Sequence, residues 1–493
     1  MKSIGLLELP APILLDPNGK NWTAMRQHEP LGSKQIVAGS LRKHFDIELV
    51  NLKRGEDSIE MGKVAWRGMQ LKKVAVGTDW RTLDPTRYDA WGITTNYLQE
   101  RDIARAIIKH LASAGVKVVA GGSDAFAEPQ PYLDAGATLV ILDKSGGSNV
   151  AAMQIALGVD PTGPFFLKTQ EKVLKSGTPR LRPEEWNLPS VEFVRQTLGM
   201  QYWEGRISDE MLPIGAAMLD HGCDRHCDFC ETPTYKLGYQ HMSPERALEW
   251  VALQKEAGAR SFICLSDQFL GRILWEGGKS EILEITNGFR ALGLPVLWGN
   301  GLEISKATLG HGSKNGDPRP DGELVDALWG WDGKVGCAQA YIPAERPLQG
   351  SKDYAKLLEW RSHVELVKAI VGAGVPDLSY GVIVGLPNDS DDSLSRLLDA
   401  VIELKGMLKS VNPRLVFKVT PFAVRPIPGT VMTAQLQASG LLRFTDPAIL
   451  GGFWTACADT KFMNYEKVSD WQMKILATSD KEVSWQGFGN IGT

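Results

Sequence analysis

Residues 221–230 read HGCDRHCDFC and contain three of the six cysteines in the chain. Cys223, Cys227 and Cys230 have the spacing C-x3-C-x2-C, directly after a predicted strand and before a predicted helix. Three thiolates on one short loop can bind three irons of a [4Fe-4S] cluster and leave the fourth iron free for an exchangeable ligand. A structural zinc site needs four ligands, usually as two pairs, and the second pair is missing, although a histidine of the stretch could complete it. The loop therefore favours an iron–sulfur cluster over zinc.

The composition is that of an ordinary globular protein. The 493 residues are 43% hydrophobic and 23% charged, with a formal net charge of -4, which excludes a disordered, collagen-like or disulfide-dense chain. That charge gives no basic field for nucleic acid, and no run of ~18 apolar residues predicts a membrane span. The apolar N-terminal stretch is too short for a secretory signal. We therefore expect a cytoplasmic protein without a nucleic-acid partner.

The first 160 residues alternate strand and helix patterns with short turns between them. This alternation is typical of an α/β domain with an open parallel sheet of the Rossmann or flavodoxin-like kind. Helices are predicted at 36–45 and 103–114, and residues 115–122 are predicted to be a helix cap, a strand and a glycine-rich loop. The other predicted strands are 2–9, 46–52, 89–95 and 139–142.

Ligands of such sheets bind beyond the carboxyl ends of the strands. Three polar or glycine-rich stretches fall at those ends in this sequence. One such stretch after a strand is usually only a turn, but three in one sheet predict a ligand over the sheet edge. The candidate binding residues are Thr94, Thr95, Asn96, Gly121, Gly122, Ser123, Gly146 and Gly147.

The rest of the chain is predicted to form a linker, a second α/β unit and a helical end. Residues 161–212 are rich in proline and charge, as in an inter-domain linker. Residues 213–430 contain six strand–helix units, which predict a partial (β/α)6 barrel with its chemistry at the carboxyl ends of the strands. Residues 431–493 have a mainly helical and aromatic pattern. The predicted barrel strands are 214–218, 261–265, 295–302, 338–342, 379–384 and 415–420.

The cysteine loop on the first turn of a β/α barrel resembles that of the radical S-adenosylmethionine (SAM) superfamily. Residues 266–269 resemble the acidic turn after the second strand of that family, and 336–345 resemble a stretch that ends in a SAM-contacting residue. Residues 380–390 and 426–430 resemble the family's "iiGlPgEt" and "pyPGT" elements. Upstream, residues 29–32 and the glycine pair 121–122 resemble the cobalamin-binding domain of one branch, the cobalamin-dependent radical SAM enzymes. The resemblance covers residues 1 to about 430.

The resemblance implies three cofactors, namely a [4Fe-4S] cluster, SAM and cobalamin. It implies that residues 1–160 bind cobalamin, that the three clustered cysteines bind the irons, and that Asp267 and Glu345 contact SAM. The loop motif D-x-H-x-x-G, which supplies histidine to cobalt in many cobalamin proteins, is missing. We therefore expect cobalt without a lower histidine, and Arg67 near the lower face of the corrin.

Most members of that branch are methyltransferases, so the resemblance implies transfer of a methyl group from SAM, via methylcobalamin, to a substrate carbon. It also implies a flavodoxin- or ferredoxin-like electron donor and a small-molecule or peptidyl substrate. One alternative is a non-methylating rearrangement or cyclisation. Another is polar methyl transfer to an indole-like carbon, with Glu276 or Glu303 capping the fourth iron, because the family's G-G-E-like turn is replaced at 266–268. A cobalamin sensor and a zinc-stabilised binding protein are further alternatives.

Overall fold

The computed structural model describes residues 1–23, 29–200 and 209–480, together with the backbone of 484–485 and 489–490. Its N-terminal part carries ten strands and six helices. The strands are β1 (Ser3–Glu8), β2 (Ala11–Leu15), β3 (Asp46–Asn51), β4 (Asp57–Trp66), β5 (Met69–Gly77), β6 (Ala90–Thr94), β7 (Lys117–Gly121), β8 (Leu139–Ile141), β9 (Phe165–Lys168) and β10 (Val173–Ser176). The helices are α1 (Gly32–Leu41), α2 (Arg101–Ser113), α3 (Ser123–Ala127), α4 (Gln130–Asp134), α5 (Asn149–Ala156) and α6 (Val191–Thr197).

Seven of these strands form one sheet in the order β10-β9-β8-β7-β6-β1-β3. The five strands from β3 to β8 are parallel, and their chain order across the sheet is 2-1-3-4-5. This is the flavodoxin-like order, in which ligands bind where the direction of winding reverses, between β1 and β6. The predicted flavodoxin-like fold is therefore confirmed.

Helix α2 shows why the sequence folds this way. Its buried side chains recur at the spacing of one helical face, at Ile103, Ile107 and Leu111. That spacing places them on one face, which packs in a single buried cluster with Trp91 of β6 and Val118 of β7. Burial of this face holds α2 against the first sheet.

Two features differ from the sequence prediction. The stretch 161–212, predicted as a linker, contains the antiparallel hairpin β9–β10, which extends the first sheet from β8. A separate three-stranded antiparallel sheet, in the order β2-β5-β4, was not predicted at all. Its Trp22 and Trp66 pack with Ile449 and Trp454 from the C-terminal segment.

A second large sheet consists of six parallel strands in the order β11-β14-β15-β16-β17-β18. Helices follow each of the first five strands and the C-terminal helices follow the sixth, so the predicted partial (β/α)6 barrel is confirmed. The strands are β11 (Ile214–Ala217), β14 (Ser261–Cys264), β15 (Val296–Trp298), β16 (Cys337–Glu345), β17 (Asp377–Val384) and β18 (Val416–Ala423), with β12 (Asp220–His221) and β13 (Gln240–His241) paired beside the first strand. The helices are α7 (Pro244–Glu256), α8 (Gly278–Leu292), α9 (Gly322–Trp329), α10 (Trp360–Gly372) and α11 (Asp391–Val411).

The C-terminal segment contains the predicted helices, which cover about half of its described length. It contains α12 (Val431–Ala438), α13 (Pro447–Gly451) and α14 (Tyr465–Leu476), followed by the short paired strands β19 (Ser484–Trp485) and β20 (Gly489–Asn490). Within the residues that the structure describes, no helix has the length and apolarity needed to cross a membrane.

Candidate active site

The three clustered cysteines lie on the loop after β12 and line one cavity of about 340 Å³. Burial raises the pKa of Cys223 and of Cys227 to about 11, so metal binding must displace protons from these thiols. In the described part of the chain, no three His, Cys, Asp or Glu side chains are grouped as ligands of a single metal ion. In a cubane cluster each thiolate would bind a different iron.

Asp267 fixes the beginning of the cysteine loop. It follows β14, and its Oδ2 accepts hydrogen bonds from the backbone N–H of Gly222 at 2.8 Å and from Nδ1 of His221 at 2.8 Å. The other ring nitrogen of His221 donates to the carbonyl of Lys144 at 2.9 Å. Both ring nitrogens therefore face acceptors, and both bonds form together only when the ring carries two protons. Asp267 lines the cavity with the cysteines.

A buried polar network stands beside Cys223. Glu303, with a side chain 3% exposed, accepts hydrogen bonds from Arg225 at 2.5 and 3.0 Å and from Gln268 at 2.7 Å. Lys306 lies 3.2 Å from the same carboxylate. The amide of Gln268 also lies 3.8 Å from the sulfur of Cys223. Both oxygens of Glu303 thus have charged or polar partners within the protein.

Glu345 enters the same cavity from a distortion in β16. The pairing of β16 with β17 shifts register between Pro343 and Glu345, and Glu345 has a positive φ of 55°. Such a bulge re-aims a side chain. The carboxylate accepts a hydrogen bond from Lys356 at 2.8 Å, and Lys356 lies 5.6 Å from the ring centre of Phe229 in the cysteine loop.

The three candidate loops of the first sheet lie together at its carboxyl edge. The N–H of Thr95 donates to the carbonyl of Gly121 at 2.9 Å, and the N–H of Ser123 donates to the Asn96 side chain at 3.4 Å. Lys144, from the loop that holds Gly146 and Gly147, donates to the Ser123 hydroxyl at 2.9 Å. These contacts show that the three stretches lie at one edge of the sheet, as predicted.

That edge is joined directly to the cysteine loop. The hydroxyls of Ser123 and Tyr235 are 2.8 Å apart, and Lys144 lies 4.9 Å from the ring centre of Tyr235. Because His221 also bonds to the Lys144 carbonyl, the carboxyl ends of the two large sheets face each other. A ligand on one sheet edge would lie next to a ligand in the cavity of the other.

Buried charges occupy the reversal point between β1 and β6. Lys53 lies 3.0 Å from Glu8 and 3.0 Å from Glu29, and Lys34 lies 3.4 Å from Glu8. Glu100 accepts hydrogen bonds from the N–H groups of residues 96 and 97 at 3.2 and 3.3 Å. Burial raises the pKa of Glu100 to about 7, because a charged carboxylate loses hydration there.

Comparison with solved structures shows a common fold. OxsB, a cobalamin-dependent SAM radical enzyme with aqua-cobalamin and SAM bound, superposes with a TM-score of 0.62 over 97% of this chain and 67% of its own, at 13% identity. TsrM, a radical SAM methyltransferase from Kitasatospora setae with cobalamin and a [4Fe-4S] cluster bound, superposes with a TM-score of 0.59 over 96% and 85%, at 15% identity. The fold is that of the cobalamin-dependent radical SAM enzymes. No protein-family model and no curated protein sequence matches the chain.

A second TsrM structure, with tryptophan substrate and the SAM analogue aza-SAM bound, gives a TM-score of 0.58 at 14% identity. In the cobalamin-dependent radical SAM fold of the present chain, the cavity at the cysteine loop lies within the ~300–1,000 Å³ range typical of ligand sites. It collects the three cysteines, Asp267 and Glu345. These five predicted residues are therefore neighbours.

Two other predicted residues, Arg67 and Glu276, lie elsewhere in this fold. Arg67 bonds to Ser469 at 2.9 Å and to Asp470 at 2.6 Å, so its contacts are with α14 and not with the loops of the first sheet edge. Glu276 is exposed and is not among the residues that line the cavity, whereas Glu303 is among them.

Several cavity residues of this fold were missed in the sequence. They include Tyr341, Lys356, Phe422 and Arg425. Arg425 directly precedes the "pyPGT"-like stretch at 426–430, so the motif itself was a signal for it. Lys356 comes from an irregular segment without a pattern, and no sequence signal marks it.

Proposed function

We propose that this protein is a cobalamin-dependent radical SAM enzyme that transfers a methyl group from SAM, by way of cobalamin, to a carbon of a small-molecule or peptidyl substrate. One observation carries the proposal. The carboxyl edge of the flavodoxin-like sheet is hydrogen-bonded to the cysteine loop through Ser123–Tyr235 and Lys144–His221. An arrangement of this kind suits two adjacent cofactors, one on each sheet.

Each side of the site has residues suited to its group. Cys223, Cys227 and Cys230 would hold the cluster, and Glu345 and Asp267 would accept hydrogen bonds from SAM. When bound, the groups supply an electron, a methyl donor and a cobalt methyl carrier. The protein's part is to orient them and exclude water. The proposed cobalamin contacts are the edge residues Thr94, Thr95, Asn96, Gly121, Gly122, Ser123, Gly146 and Gly147.

Because Gly122 has no side chain, the neighbouring backbone of Thr95 can approach it closely. A flat ligand could approach it closely for the same reason. Its φ is +98°, and an added Cβ would lie 2.3 Å from the Thr95 carbonyl oxygen. The backbone of Gly122 therefore lies directly against the backbone of Thr95, with no room for a side chain between them. A bulky ligand over the sheet edge would meet main chain there and not side chains.

Polar methyl transfer is a second candidate, supported by Glu303 in the cavity beside Cys223. A carboxylate on the fourth iron would prevent reductive cleavage of SAM. In the structure Arg225, Gln268 and Lys306 already engage Glu303, so it must leave these partners to reach an iron. The radical route is therefore the first proposal, and a flavodoxin- or ferredoxin-like protein is its proposed electron donor.

The test is anaerobic reconstitution with iron, sulfide and cobalamin, followed by SAM and a low-potential reductant. We expect about four irons per chain, one cobalt, and S-adenosylhomocysteine by mass spectrometry. The Cys223→Ala/Cys227→Ala/Cys230→Ala variant should lose the iron, whereas Cys337→Ala, at a buried cysteine of β16, should keep it.

Each product has a separate meaning. 5'-Deoxyadenosine together with S-adenosylhomocysteine supports the radical route, and S-adenosylhomocysteine alone supports polar transfer. 5'-Deoxyadenosine without S-adenosylhomocysteine supports a non-methylating rearrangement. Zinc in place of iron contradicts the whole proposal. Tryptophan is a suitable first compound because TsrM is described with it as substrate.

A further inference from the structure

Within residues 1–23, 29–200 and 209–480, one cation of the cavity beside the cysteine loop has no anionic partner. Arg225 is paired with Glu303 and Lys356 with Glu345, while Asp267 is bonded to His221. Arg425 lines the same cavity. Among the residues that the structure describes, its guanidinium forms neither an ion pair nor a hydrogen bond.

Aromatic rings hold Arg425 in place. It follows β18, and its guanidinium carbon lies 4.7 Å from the ring centre of Phe453 and 5.8 Å from that of Phe422. The Phe422 ring lies 5.0 Å from Phe453 and 6.2 Å from Tyr341. A guanidinium fixed by packing loses little conformational freedom when it binds a ligand.

Arg425 is partly buried in the cavity wall. Burial lowers its pKa, because the guanidinium has lost part of its hydration. Cation–π contacts with the rings offset part of that loss, and an anionic ligand would offset more. The titratable groups acting on it are Tyr97, Cys457 and Tyr341, and no carboxylate from the described chain is among them.

We propose that Arg425 binds a carboxylate of the substrate, so that the substrate is an organic acid with an apolar or aromatic body. The planar fork of the guanidinium matches a carboxylate in two hydrogen bonds, and Phe422, Phe453 and Tyr341 would contact the apolar part. This inference rests on the proposed function and deepens it, because it names the class of molecule that the same site accepts.

The cysteine side of the cavity has its own cations. Arg225, two residues after Cys223, and Lys356, 5.6 Å from the ring centre of Phe229, line the cavity beside the cysteines. The segment that carries Arg425 reaches the edge of the first sheet, because an added Cβ at Gly429 would lie 4.0 Å from the Cβ of Ala127 in α3. The carboxylate of SAM is expected at the cluster, so Arg425 is left for a carboxylate of the substrate.

Binding of matched probe pairs tests this inference. The pairs are 3-phenylpropionate with 3-phenylpropionamide and indole-3-propionate with its amide, measured by equilibrium dialysis at pH 7 on the reconstituted protein. We expect at least one acid to bind 10-fold or more tightly than its amide. Arg425→Gln should reduce that ratio below 2-fold, and Arg425→Lys should keep an intermediate ratio.

Two controls make the result specific. Arg443→Gln removes another arginine of the C-terminal part, one that is half exposed and paired with Asp459, and should keep the wild-type ratio. SAM affinity should change less than 2-fold in Arg425→Gln, and far-ultraviolet circular dichroism should match the wild type.

The inference is overturned if no acid is preferred over its amide, if Arg425→Gln keeps the preference, or if that variant loses SAM affinity 10-fold, which would assign Arg425 to the SAM carboxylate. The assay needs no turnover. A protein that prefers acids but forms no S-adenosylhomocysteine would contradict the proposed function and leave the carboxylate site standing.

Discussion

Gly122 has a backbone conformation that only glycine adopts without strain. Its φ of 98° and ψ of 173° lie in a region that costs other residues about 1–3 kcal/mol. Its main chain also closes against Thr95, the residue after β6. The loop after β7 and the loop after β6 are thus in direct backbone contact at this point.

We expect Gly122→Ala to lower the free energy of unfolding by about 2 kcal/mol or more, because strain and the clash with Thr95 add. Cobalamin affinity should fall at the same time. Urea unfolding and cobalamin titration measure the two effects. Gly115→Ala is the matched control, since Gly115 also has a positive φ, of 76°, but open space around a new Cβ. Equal losses of stability in the two variants would contradict the role of the contact.

At the scale of single residues, sequence reasoning found the groups that occur in spaced motifs. The three cysteines, Asp267 and Glu345 were all named and share one cavity. Lys356 and Arg425 were not named, because a lone basic residue is usually an exposed one. Lys356 matters because the fold brings it to Glu345. Arg425 matters because no carboxylate of the described chain acts on it, and local sequence shows neither fact.

At the scale of elements, the buried carboxyl group of Glu100, which directly precedes α2, is hydrogen-bonded to the loop after β6. Glu100 accepts the N–H groups of residues 96 and 97, while Lys53, Glu8 and Glu29 surround it with charge. Burial raises its pKa to about 7, so the folded protein holds a proton that the unfolded chain releases near pH 4.5.

The pKa of Glu100 predicts a stability change with pH. A raised pKa in the folded state contributes stability below pH 4.5, and this contribution is lost as pH rises through 7. Glu100→Gln keeps an acceptor oxygen but has no proton to lose. We therefore expect the variant to gain stability relative to wild type between pH 5 and pH 8, by about 2–3 kcal/mol, in urea unfolding. Glu171→Gln, at an exposed position, should show no such trend. A stability difference between Glu100→Gln and wild type that does not change with pH would contradict the prediction.

Most elements could be predicted because their periodicity matches their burial. The strand predicted at 379–384 is observed as Asp377–Val384, and the one at 415–420 as Val416–Ala423. Strand β4 was missed because only Ile59 and Trp66 of its ten residues are buried. Trp66 packs with the C-terminal segment and Ile59 with the first sheet, so the strand's two core contacts are with distant parts of the chain and its local pattern is mainly polar.

At the scale of the whole molecule, function depends on two sheets that meet through a few polar contacts. The Ser123–Tyr235 hydrogen bond crosses from the first sheet to the cysteine loop. A double-mutant cycle with Ser123→Ala and Tyr235→Phe should give a coupling energy of about 0.5–1.5 kcal/mol in unfolding. The same cycle on cobalamin affinity should show coupling of the same sign. Strict additivity in both measurements would contradict a direct link between the sheets.

The packing of Trp66 against the C-terminal segment affects how the chain is made. Its indole N–H donates to the carbonyl of Ala456, 390 residues further along. At about 5–20 residues per second, a ribosome needs roughly 20–80 s to synthesise that separation. During this time the apolar face of the β2-β5-β4 sheet emerges without its partner. The apolar face of this sheet is therefore exposed on the nascent chain through most of translation. We expect chaperones that bind unfolded chains to increase the yield of folded protein in cells.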